Sequence, residues 1–440
     1  MRSSSVHFSQ RSLRTADQPI SYFMKQAVEN PDLISLAAGL VDSVSVPAAE
    51  VLEVAAEILG QPCAAQAALQ YGTTQGLRPL RDKLLARTCF LDGVEPPDLS
   101  LTADNVVVTT GSQQLLYLVG EMLFDPGDIV IAEAPSYFVY QGTLSSLGVR
   151  TLSVPVDDEG LNTDALAELL AKLERTSELP RLRLIYVCDY FQNPTGLTLS
   201  LARRRRLLDL VRRYSRHRRV FILEDAAYRE LRYEGEDLPS IKSFDDGNQH
   251  VILTMTFSKA CAPGLKTGYA VLPKDLVEPL LRLKGNHDFG SNNFTQHLID
   301  RLLETGKYDR QVAKLRDVYR EKRDAILEAL AQEFPPASGV RWVAPRGGLY
   351  VWLSFPRHIA CGPDGQLMHE ALGEGVLYVP GEFCYVKNDN ESVPTWEARL
   401  CFGVATLEQI REAVRRLGRA VREVVSEGVA IGATSTSAFH

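Results

Sequence analysis

The chain predicts an α/β fold, with a large domain built on a mostly parallel sheet with helices on both faces and a smaller α+β domain after it. Three observations predict it. Short runs rich in Val, Ile and Leu recur through the middle of the chain, with helical patterns between them. These runs are apolar throughout rather than alternating, which suits strands covered on both faces. After a long helical stretch, about residues 291–333, the pattern changes to scattered short strands and a closing helix.

In order, the runs are 105–109 (NVVVT), 128–132 (DIVIA), 182–188 (LRLIYVC), 220–223 (VFIL), 251–255 (VILTM) and 268–272 (GYAVL). The helical pattern Leu201–Tyr214 falls among them, and its run of four arginines, 203–206, predicts a solvated face beside Leu207, Leu210 and Val211. In the later region 351–353, 376–379 and 399–402 read as strands, and 407–424 as the closing helix. The expected division is 1–48 for an N-terminal arm and part of the small domain, 49–310 for the large domain and 311–429 for the small one. The small, polar end, 430–440 (AIGATSTSAFH), predicts disorder.

Composition narrows the function classes. A net charge of −7 leaves no electrostatic footprint for nucleic acid or an anionic membrane. No apolar run reaches the ~20 residues that span a bilayer. The 7 cysteines are scattered without CxxC pairs or zinc spacing, which predicts reduced thiols, no metal and a cytoplasmic protein. Residues 1–14 are rich in Ser and Arg and lack an apolar signal core. They read as a mobile arm, although a mitochondrial presequence has that composition too.

Ligands of open α/β sheets bind beyond the carboxyl ends of the strands, and five strand ends here carry chemistry. After 105–109 come Thr110, Gly111, Ser112 and Gln113, opening a helical run. Free N–H groups at a helix start hold phosphate, but the same residues also make a plain turn with an N-cap. Beyond 128–132 stands Tyr137, suited to covering a flat aromatic ligand or to packing on its own domain. After 182–188 comes NPTG, first of all a turn, whose Asn193 amide is also able to donate to a phenolate oxygen. Glu224 and Asp225 follow 220–223. An acid there is costly without a partner; a cationic ring nitrogen would be one, and Tyr228 would reach the same ligand. After 251–255 come Thr256, Ser258 and Lys259, then a Pro-Gly turn and Lys266. A single Lys is ordinarily a solvated charge, yet the hydroxyls before it and the second cation after it suit a Schiff-base nucleophile.

Taken together, GSQQ, PSY, NPTG, DAAY, SK and PGLK.G resemble the fold-type-I, class I/II pyridoxal-phosphate aminotransferases. The resemblance covers about residues 34–417 and includes Gln70-Tyr71-Gly72, the run PRGGLYVW at 345–352, Val379-Pro380-Gly381 and Arg399-Leu400-Cys401-Phe402. The stretches 34–40 (ISLAAGL) and 285–289 (GNHDF) look closest to the 2-aminoadipate, kynurenine and broad-specificity branch.

The resemblance implies pyridoxal 5′-phosphate on Lys259, with amino acids and 2-oxo acids such as 2-oxoglutarate as substrates. It further implies Asp225 at the pyridine nitrogen, Asn193 and Tyr228 at the phenolic oxygen, and Tyr137 on the ring face. Gly111, Ser112, Gln113, Thr256, Ser258 and Lys266 would hold the phosphate. Tyr71 would reach the phosphate of a neighbouring subunit in a homodimer. Arg399 would grip the substrate carboxylate, with Gly39 and Asn193 beside it. One departure stands out: the family most often has Arg where this chain has Lys266. Lys binds phosphate as a point charge, without the fork, which points to weaker cofactor retention.

Two other outcomes share parts of this pattern. A lyase or an aminocyclopropane-carboxylate-synthase-like enzyme would use the same lysine, and a ligand-sensing half of a transcription regulator would use the same fold. The residues before the resemblance are too few for a DNA-binding domain. Cys188 and Cys261 read as small buried hydrophobes. His287 reads as a neighbour of the site or as a structural or subunit-contact residue.

Overall fold

The computed structural model describes residues 6–15, 19, 23, 26, 29–30, 32–216, 218–386 and 392–436, the side chains of 427–436 excepted. After the two-residue β1 (Ile34–Ser35), the strands β2 (Val106–Thr109), β3 (Ile129–Ala134), β4 (Arg150–Asp157), β5 (Gly160–Leu161), β6 (Leu182–Val187), β7 (Phe221–Asp225), β8 (Val251–Thr256) and β9 (Gly268–Val271) follow. β2 to β9 form one sheet in the order β2-β9-β8-β7-β6-β3-β4-β5. From β8 to β4 every pairing is parallel.

β9 breaks the parallel run, lying antiparallel between β2 and β8. It follows β8 after a short loop with no crossover helix, and such a connection can only reverse the chain. β4 escaped the sequence reading because it lies near the sheet edge and buries only Thr151 and Val154, so it lacks a continuous apolar run.

The period of two along each strand divides the core. Val107, Leu223, Ile252 and Ala270 face Leu115, Leu118 and Leu280 of the helices Gly111–Leu123 and Lys274–Asp288. Ile131, Ile185, Ile222 and Val251 face Leu166, Leu170, Leu207 and Val211 of the helices Thr163–Arg175 and Leu201–Tyr214. One arginine of the expected solvated face belongs to this interior. Arg204 is fully buried, and Asp189 and Glu224 supply the acids that permit it.

The stretch 291–333 forms two helices, Asn293–Glu304 and Lys307–Glu333, separated at Gly306, whose φ of +65° ends the first. The expected domain boundary at 310–311 therefore falls inside the second helix. Beyond it come β10 (Arg341–Trp342), β11 (Tyr350–Ser354), β12 (Val376–Leu377), β13 (Val379–Pro380) and β14 (Glu397–Cys401). The run 376–379 serves two sheets: β12 pairs with β1, bringing the N-terminal segment to this region, while β13 pairs with β14.

The closing helix runs from Leu407 to Thr436, past the expected end at 424 and through most of the segment expected to be disordered. Val429, Ala430 and Ile431 continue the helical pattern, and no Pro stops it; residues 437–440 lie outside the described ones. The described part of the N-terminal arm is docked. Gln10–Arg14 is a short helix, and Arg11 donates to Glu121 at 2.7 Å and to the Tyr117 hydroxyl at 2.6 Å. Residues 1–5 lie outside the described ones. No helix among the described residues is long and apolar enough to cross a membrane.

Candidate active site

The carboxyl ends of β2, β3, β6, β7 and β8 meet at one rim of the sheet. β9 runs the other way, so its amino end, and Lys266 just before it, arrives at the same rim. There a cleft of about 240 Å³ is lined by Gly111, Ser112, Gln113, Tyr137, Asn193, Asp225, Tyr228, Thr256, Ser258, Lys259 and Lys266. The sequence had named all of them.

The Gly111 end of the cleft is made of backbone. Gly111 has φ +71°, and the helix it opens has no side-chain cap, so its first N–H groups point outward unclaimed. Gly268 on β9 lets this turn approach, since a Cβ there would lie 2.8 Å from Gly111 C and from Ser112 N. Thr256 caps the helical turn Phe257–Ala260, accepting from Ser258 N at 3.2 Å and donating to Ser258 Oγ at 3.0 Å, which fixes where Lys259 begins.

Lys259 Nζ donates to Gly39 O at 2.7 Å. Burial lowers its pKa to about 8; Arg399 and Lys266 push the same way and Cys401 opposes them. Asp225 is buried at the end of β7, accepting from the Tyr186 hydroxyl at 3.0 Å and from Ala227 N at 3.3 Å. Burial raises its carboxyl to about 6 against those two bonds. The Tyr228 and Tyr350 hydroxyls lie 2.9 Å apart, and burial holds the Tyr228 phenol well above its usual range.

Arg399, on β14, is only 1% exposed. Its Nη1 donates to Asn193 Oδ1 at 2.8 Å and its Nη2 to Ala37 O at 2.6 Å, while its Nε is buried without a partner among the described residues. It lies over the Tyr350 ring at 4.5 Å. Arg399 and Gly39 thus border the cleft through Asn193 and Lys259. Tyr71 does not join them: it is 82% exposed and packs edge-on against Phe289 at 5.6 Å, on another face of its own chain.

Sequence reasoning missed several neighbours. Tyr186 also lines the cleft, as do Thr110, Ala227 and Pro263, which stood in quoted motifs without a role, and Cys188, which had been read as a small buried hydrophobe; Cys261 is buried elsewhere. Tyr186 left a signal, because a hydroxyl inside a doubly covered strand needs a partner. Tyr350 stood in a quoted motif with no role given. Glu133, buried at the end of β3, accepts from Cys188 N at 2.9 Å, and burial raises it to about 8.

These residues suit a planar, cationic-nitrogen, phosphate-bearing group. Among the described residues Asp225 is a buried acid with no cation beside it, Lys259 a buried amine whose one hydrogen-bond partner is a carbonyl, and the uncapped helix start suits an anion.

Comparison with known proteins agrees. Residues 31–417 match the family profile described as aminotransferase class I and II. The aromatic-amino-acid aminotransferase 1 of Thermococcus litoralis is 37% identical over 418 residues, 95% of this chain and 94% of that protein. A multiple substrate aminotransferase from Thermococcus profundus has a TM-score of 0.85 at 35% identity, covering 96% of this chain and 98% of that one. The α-aminoadipate aminotransferase of Thermus thermophilus, solved with N-(5′-phosphopyridoxyl)-L-leucine, has a TM-score of 0.81 at 34% identity, covering 95% and 98%. Relatives of these specificities are those expected from the branch that 34–40 and 285–289 resemble.

Proposed function

The chain belongs to the aminotransferase class I and II family and transfers amino groups with pyridoxal 5′-phosphate, and on that premise we propose that Lys259 binds the cofactor and moves the proton that transfer requires. The donor is an α-amino acid and the acceptor a 2-oxo acid such as 2-oxoglutarate. The observation that carries this is the convergence of Lys259 and Asp225 on one cleft, both buried and neither paired with an opposite charge among the described residues.

When bound, the cofactor supplies an electron sink for the pair released as the Cα–H bond breaks. The chain's residues do the rest. With a pKa lowered to about 8, Lys259 is partly a free amine near neutral pH, suited to taking a proton from Cα and returning it. Asp225, steadied by Tyr186, gains at the ring nitrogen the cation it lacks. The Asn193 amide nitrogen and the Tyr228 hydroxyl serve the phenolic oxygen, and Tyr137 covers the ring. Gly111 to Gln113, Ser258 and Lys266 receive the phosphate. Arg399, its Nη1 held by Asn193, takes the substrate carboxylate. Tyr71, exposed and turned from its own cleft, reaches the phosphate site of a partner in a homodimer.

Elimination is not favoured, because the relatives more than 30% identical are aminotransferases. The test has two parts. Borohydride reduction of the loaded protein should leave a pyridoxyl tag on the peptide containing Lys259; a tag elsewhere removes that residue from the role. Single amino acids, added without an acceptor, should convert the bound cofactor's absorbance to that of its pyridoxamine form.

A further inference from the structure

The helix Gly111–Leu123 starts from Thr110, a residue type that ordinarily caps a helix with its own hydroxyl. Here no side chain caps it. The Thr110 hydroxyl is turned away, 3.4 Å from Asp288 Oδ2 and 3.4 Å from Ser291 Oγ. Gln114, buried one turn along the helix, holds this arrangement at both ends. Its Oε1 accepts from Thr110 N at 2.8 Å, and its Nε2 donates to Asp288 Oδ2 at 2.6 Å, with His287 Nδ1 3.1 Å away. Asp288 is itself fixed by Lys284, whose side chain is fully buried, at 2.9 and 3.0 Å.

We propose that Gln114 and Asp288 are positioning residues for the cofactor phosphate: they hold the Thr110 hydroxyl away from the helix start and so keep its N–H groups open. This rests on the function proposed above. A capping hydroxyl would accept from the N–H of the second or third helical residue. Ser112 and Gln113, which carry those N–H groups, line the cleft, and the cap oxygen would stand where a phosphate oxygen must go. The bond to Thr110 N also sets the angle at which the turn presents Gly111. A bare carboxylate this near would repel a phosphate; the Lys284 ammonium neutralises it, so Asp288 orients without opposing the anion.

The test compares two ligands that differ only in the phosphate, pyridoxal 5′-phosphate and pyridoxal, titrated by absorbance into the cofactor-stripped full chain. Gln114→Met should raise the Kd for the phosphorylated ligand by about tenfold, the loss of roughly one charge-assisted hydrogen bond, and leave pyridoxal within about twofold. An equal change for both ligands, or none, overturns the proposal. Gln114→Glu sets two carboxylates together and should weaken phosphate binding too. Combined with Asp288→Asn, it restores the donor–acceptor pair with its polarity reversed and keeps one negative charge for Lys284. That double variant should regain the phosphate preference; a double variant no better than Gln114→Glu overturns the proposal even where Gln114→Met fails to fold. Wild-type protein that binds neither ligand refutes the functional reading instead.

Discussion

Glu224 and Asp225 are consecutive acids at the end of β7, and the strand's period of two sends them to opposite faces of the sheet. Both are buried; their surroundings differ in kind. Behind the sheet, Glu224 accepts from Ile241 N at 2.6 Å and Lys242 N at 2.9 Å. Arg204 pairs there with Asp189, donates to Leu199 O at 2.9 Å and lies over the Tyr190 ring at 4.1 Å. Lys242 bonds Asn248 and, at 2.7 Å, Val251 O. In front, Asp225 has one hydroxyl and one long N–H bond, and Lys259 a single carbonyl. Burial lowers both Lys242 and Lys259 to about 8, so burial alone does not separate scaffold from site. The number of partners already supplied does.

Substitutions on the two faces should fail differently. The largest effect is expected from Asp225→Asn, a loss of about 10²–10³ in kcat because a preorganised charge at the reacting group disappears, with an unchanged melting temperature of the cofactor-loaded protein. Arg204→Met should do the reverse. It strands Asp189 beside Glu224, costs about 3–5 kcal/mol in denaturant unfolding, and leaves kcat per folded molecule within about threefold. Equal losses of activity from the two would erase the distinction.

A smaller effect concerns pH. The Asp225 carboxyl is raised from 3.8 to about 6 when folded, so the unfolded chain releases its proton first. Its contribution favours the fold below about pH 4 and is lost as pH rises through about 6, up to about 3 kcal/mol. Unfolding of the cofactor-free protein should therefore show Asp225→Asn gaining on wild type between pH 4 and 7, and bound cofactor should abolish the gain. The smallest effect is expected from Lys266→Arg. Its fork should slow cofactor loss on dialysis severalfold by adding a second parallel bond to the phosphate.

The rim residues were legible because each follows a recognisable apolar run, and consecutive parallel strands must deliver their carboxyl ends to one side. The runs 182–188, 220–223 and 251–255 were enough to bring Asn193, Asp225 and Lys259 together. Partner counts were not legible. The groups that satisfy Glu224 come from Ile241 and Lys242, and those around Lys259 and Arg399 from Gly39 and Ala37, distant segments that no spacing connects. Arg204 was misjudged for the same reason. A run of four arginines on a helix reads as solvent-facing until the acids across the core are known. The closing helix was cut short because small polar residues carry little helical signal of their own.

The reversed strand β9 has a mechanical consequence. Lys259 and Lys266 both sit in the connection between β8 and β9, paired from Thr256 opposite Gly268. They hang from the two arms of a single hairpin. Because that pairing ties both arms to one strand pair, Lys259 and Lys266 share a single support, and a substitution that loosens it should disturb both at once.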